Sequence, residues 1–184
     1  MIEFSITWFL DGFTHPLETP AHLILLVGLA VLLGQQGGAY LLRNLVLLSS
    51  AIIAGFVINS YFSPRINNEL ILLILALVVS LLIILRLDYK AGWVQYTVTT
   101  LSLASGIVLG LDSSPIMIPG LGANTFYNWL FGAAIGISVA VLIIAVISFF
   151  LRNLLQGVVL RVLGSWIATS ALFVLTLLLT KTTL

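Results

Sequence analysis

Residues 11–38 read DGFTHPLETPAHLILLVGLAVLLGQQGG, and where this stretch is cut decides the architecture. From Ala21 to Leu33 it is apolar on every face, interrupted only by His22 and Gly28. A helix that is apolar all round belongs in a protein core or in a bilayer. Its start is written in Thr19-Pro20: Thr19 suits an N-cap, and Pro20 suits the first helical position, where a missing N–H removes no bond. The break GQQGGAYLLRN ends it.

Composition chooses the bilayer. The chain has 184 residues, of which 61% are hydrophobic and only 7% charged, with a mean hydropathy of +1.24. Soluble domains carry about 25% charged residues. Too little polar surface exists here to coat a globule in water. A membrane-spanning helix needs roughly 20 mostly apolar residues, and windows at 20–36, 44–62, 69–87, 92–111, 125–151 and 160–181 meet that need. The fifth is long enough to tilt. The expected fold is all-α: one transmembrane domain, a bundle of about six helices. Residues 1–19 lack the basic start and apolar core of a secretory signal. Their Ile2, Phe4, Ile6, Trp8, Phe9 and Phe13 suit a segment lying in the membrane interface.

Loop charges then orient the bundle. With six spans, Arg43, Arg86, Lys90, Arg152 and Arg161 fall on one side, and Arg65 and Lys181 on the other. The positive-inside rule makes the first side cytoplasmic, so both termini are expected to face outward. Glu3, Asp11, Glu18, Glu69 and Asp112 share the outward side. So do two polar, proline-rich mouths, HPLETPAH and LDSSPIMIPG.

Several function classes are not supported. No basic patch points to nucleic acid. Cysteine is absent, which removes disulfides and thiolate metal sites. The chain contains no GxSxG, no HExxH and no glycine-rich phosphate loop, so it does not read as an enzyme. No charge falls at the centre of a span, which argues against a proton pump built on buried acids.

The mouth at HPLETPAH carries the chemistry. His22 falls in the first turn of its helix, near the positive end of the helix dipole, a field that favours the neutral ring. His15 to Leu17 and Glu18 are expected to form the preceding turn. Glu18 and His22 are four residues apart and can face one another if the helix begins early. Imidazole with carboxylate is a suitable donor set for nickel, cobalt or zinc. His15, Glu18, His22 and Asp112 are therefore the candidate metal ligands. The more ordinary use of the same residues is as a helix cap and a solvated rim.

The segment GFTHPLETPAHLILLVGLAVLLGQQGG resembles the first helix of the HupE/UreJ family, membrane proteins associated with hydrogenase and urease clusters. His15, Pro16, Leu17 and His22 match the family's His-Pro-Leu-x-Gly-x-Asp-His pattern, and LRVLGSWIATSALFVL (160–175) looks like its last span. The resemblance implies a bacterial inner-membrane permease or accessory protein that handles transient nickel or cobalt. Ala21 stands where the family has Asp, and TTLSLASGIVLGLDSSP holds none of the histidines the family carries in a middle helix. These departures motivate a second expectation: a non-transporting membrane subunit or scaffold, held to a membrane-protein partner or to its own copies.

The later spans carry small and polar faces. Gln95, Thr99, Ser102, Gly106 and Gly110 share one face of the fourth, and Gly132, Gly136 and Ala140 recur at four-residue spacing in the fifth. Ser49, Ser50, Gly55 and Asn59 do the same in the second. Such faces let helices approach closely. Alternatively, Gln95, Thr99 and Ser102 line a polar pathway.

Overall fold

The computed structural model describes residues 5–62, 67–87, 91–113 and 123–182. Within them lie α1 (Ile6–Glu18), α2 (Pro20–Gln36), α3 (Gly38–Phe62), α4 (Asn68–Leu85), α5 (Gly92–Asp112), α6 (Ala123–Leu151) and α7 (Val158–Thr182). A short 3-10 turn, Leu154–Gly157, precedes α7. Five helices are long and apolar enough to cross a membrane, and α1 with α2 is a bent pair that together reaches the same length and hydropathy. The protein is an all-α polytopic membrane bundle. Residues 1–4, Arg65, Lys90 and the part of the second mouth beyond Ser113 lie outside the described residues.

The bend between α1 and α2 measures 78°, and its cause is local. Proline disfavours the helical conformation in the residue before it. Thr19, ahead of Pro20, is accordingly extended at φ −91° and ψ 117°. Thr19 holds the N-cap position, but its side chain makes no capping bond. His15, Pro16, Leu17 and Glu18 are the last turn of α1 rather than a free turn. The helical spacing from Glu18 to His22 is therefore broken.

α2 is the pillar of the bundle. Its 17 residues span about 26 Å, short of the roughly 30 Å hydrocarbon core. It contacts every other α-helix. Leu25, Leu26, Leu29, Leu32 and Leu33 are fully or almost fully buried. Its lack of a polar face is explained by the helices packed around most of its length.

Glycines set the other close contacts. On α5, a Cβ at Gly106 would lie 2.7 Å from the Leu48 carbonyl oxygen of α3. One at Gly110 would overlap the Ile52 carbonyl. The small face of α5 thus seats α3 closely between Leu48 and Gly55. Gly132 and Gly136 of α6 take the backbone of α1 at Phe9 and Phe13. The N-terminal segment, expected to lie in the interface, is a helix docked on α6. Backbone against backbone leaves no room for lipid between them.

The helix directions gather charge at the two ends. α4 begins with Asn67, whose side chain accepts from the Leu70 N–H at 3.2 Å, and with Glu69 in its first turn, where the dipole favours an acid. It ends at Arg86, left-handed at φ 48°. The Arg86 guanidinium donates to the Gln156 carbonyl, and Arg161 Nε donates to the Ile84 carbonyl at 3.0 Å. Arg152 covers the Phe149 ring at 4.2 Å. Among the described residues, the arginines stand at one end of the bundle. Asp11, Glu18, Glu69 and Asp112 stand at the other.

Candidate functional site at the acidic end

The N-terminus of α2 and the C-terminus of α5 meet at the acidic end. His22 comes from the first and Asp112 from the second. His22 Nε2 and Asp112 Oδ2 are 2.7 Å apart. The His22 side chain is buried, while that of Asp112 keeps 27% of its exposure. An ionised carboxylate can only accept, so Nε2 carries the hydrogen and donates it. In the neutral ring the lone pair then lies on Nδ1. That atom is buried and has no hydrogen-bond partner. The positive end of the α2 dipole also offsets the cost of placing a carboxylate at the negative end of α5.

His15 completes the wall of the site from the last turn of α1. Its ring stands edge-on to that of His22, with centroids 5.9 Å apart, and packs against Trp129 of α6 at 5.0 Å. Glu18 is exposed at the rim. The fold thus brings His15, His22 and Asp112 together and leaves Glu18 outside them. Among the described residues, no group of three or more His, Cys, Asp or Glu side chains could hold a metal ion as the site stands.

The pathway candidates lie elsewhere. Gln95 is 17 positions before Asp112 on α5, about 25 Å along the axis, in the arginine half of the bundle. Its Nε2 donates to Tyr40 Oη at 2.8 Å. Thr99 Oγ1 donates to Asn44 Oδ1 at 2.9 Å and accepts from Arg43 at 3.1 Å. Ser102, fully buried, bonds the Val98 carbonyl of its own helix. Gln95 and Thr99 bind α5 to α3, while Ser102 is satisfied within α5.

Sequence reasoning did not single out Trp129, Tyr40 or Asn44. Each is an ordinary aromatic or amide residue until its partner is known. Ser105 and Ser113 were also passed over. Both hydroxyls are buried without partners, Ser105 two turns along α5 from Asp112 and Ser113 directly after it. Compared with known proteins, the chain matches no family model, no curated protein and no solved structure.

Proposed function

We propose that this protein handles a divalent first-row cation, nickel or cobalt, as cargo at the acidic mouth. His22 Nδ1 and the His15 ring are the donors, Asp112 orients His22, and Glu18 attracts the ion at the rim. One observation carries this reading: with Nε2 bonded to Asp112, His22 Nδ1 is buried without a partner, and the His22 ring stands beside a second imidazole. Metal-binding histidines characteristically donate their other ring nitrogen to a carboxylate, which fixes the tautomer and raises basicity. With metal–nitrogen bonds of about 2.0–2.1 Å, two imidazoles sharing an ion place their centroids roughly 5 to 6 Å apart. The observed 5.9 Å fits that spacing. Water fills the remaining positions, which suits a cargo that must leave again.

Calorimetric titration of the purified protein with nickel or cobalt tests the reading. His22→Ala and His15→Ala should each weaken binding. Titrations unchanged in both variants would remove it.

A second reading is favoured by the Gln95, Thr99 and Ser102 bonds, which tie up the groups that a pathway would use. In it the chain binds metal or a partner at the mouth but conducts nothing, as an accessory subunit. Vesicles containing this chain alone separate the two. Uptake of labelled nickel or cobalt supports the permease, and binding without uptake supports the accessory subunit.

A further inference from the structure

At the arginine end, α3 and α5 enclose a groove of about 290 Å³ lined by Arg43, Leu47, Gln95, Tyr96 and Thr99. It opens on the outer surface of the bundle. Leu42 and Val46 beside it are 65% and 60% exposed, and Tyr96 and Trp93 are 77% and 59% exposed. In a bilayer such a surface meets lipid. Arg43 lies five residues into α3, about 7–8 Å from its start, a depth that suits a headgroup. Trp93, Tyr40 and Tyr96 cluster at the same level, as aromatic residues do at the membrane interface.

Arg43 is held in place and not neutralised. Its guanidinium lies over the Tyr40 ring, 5.3 Å from the centroid, and one N–H is given to Thr99 Oγ1. Thr99 is fixed in turn by Asn44, and Tyr40 by Gln95. Among the described residues no salt bridge involves Arg43, so no carboxylate there answers its charge. The guanidinium is a planar fork of five donors matched to phosphate oxygens. Tyr40 Oη, which accepts from Gln95, keeps its own hydrogen to give.

We propose that this groove binds one anionic phospholipid, its phosphate on Arg43 and Tyr40 and its acyl chains along Leu42, Val46 and Leu47. The bound lipid neutralises a cation at the membrane boundary and seals the α3–α5 seam from outside. Basic pockets between spanning helices at the cytoplasmic side recognise headgroups in this way.

Native mass spectrometry of the full chain, extracted with phosphatidylglycerol and phosphatidylcholine in equal amounts, reads retained lipid directly. The parent protein should keep one phosphatidylglycerol in preference to phosphatidylcholine. Arg43→Gln should lower that retention about fivefold, while Arg152→Gln leaves it unchanged. Leu47→Trp fills the groove with Arg43 intact and should also expel the lipid. The proposal is overturned if Arg43→Gln or Leu47→Trp retains lipid like the parent. Equal loss in Arg152→Gln would overturn it too, because the attraction would then be a general field. Inorganic phosphate at millimolar concentration should not displace the lipid; displacement would mean a free-anion site instead.

Discussion

Asp112 is the residue on which the acidic mouth turns. It is 90 positions from His22, and their meeting depends wholly on how α2 and α5 pack. Removing the carboxylate with Asp112→Ala would leave both nitrogens of a buried imidazole without partners. An orphaned buried polar group costs about 1–3 kcal/mol, so thermal unfolding in detergent should register that loss. Asp112→Asn still accepts from Nε2 and should keep most of the stability. Its neutral amide orients the ring but polarises it less, and nickel affinity should fall roughly 10- to 100-fold. If calorimetry finds Asp112→Asn equal to the parent, the carboxylate has no part in binding. At this scale the sequence was partly legible. His15 and His22 declare themselves by type, and Asp112 by standing near a span end. Trp129 does not, because an aromatic residue near a helix start has many ordinary uses.

At the scale of elements, the spans were readable because each is an unbroken apolar run between polar punctuation. α1 was not. Its Pro16, and Thr19-Pro20 just after it, suggested a turn where the chain is helical as far as Glu18. The glycines of α6 that receive it were visible at their spacing, but nothing in the chain names the helix they receive. The same holds for Gln95 and Thr99, whose partners Tyr40 and Asn44 lie 55 positions away. A polar side chain in a span looks the same whether it faces a pore or a neighbour. The α3–α5 contact yields a direct test. Gly110→Leu must push α5 off the Ile52 backbone, and overpacking of this kind costs about 1–3 kcal/mol or more. It should lower stability and, by moving Asp112, weaken metal binding as well. A Cβ at Gly92 would meet nothing within 4 Å, so Gly92→Ala should stay within about 0.5 kcal/mol of the parent. Equal stability for the two variants would refute the close-packed seam.

For the whole molecule, charge divides the bundle into an arginine end and an acidic end, and the positive-inside rule predicts which faces the cytoplasm. The absence of cysteine makes this easy to measure. Glu18→Cys and Asn153→Cys place single thiols at exposed positions on opposite ends. A membrane-impermeant thiol reagent should label Glu18→Cys in intact cells, and Asn153→Cys only after permeabilisation. The reverse pattern would turn the protein over and move the acidic mouth to the cytoplasm.

The central position of α2 bears on how the protein is made. α2 emerges from the ribosome before α3, α4, α5, α6 and α7, yet in the finished bundle it touches all of them. Synthesis proceeds from the N-terminus, so its leucines must first be surrounded by lipid or by the insertion machinery. Each later helix replaces part of that temporary surrounding. α2 is thus fully enclosed only when α7 arrives, and the bundle assembles around a helix made before the five that surround it.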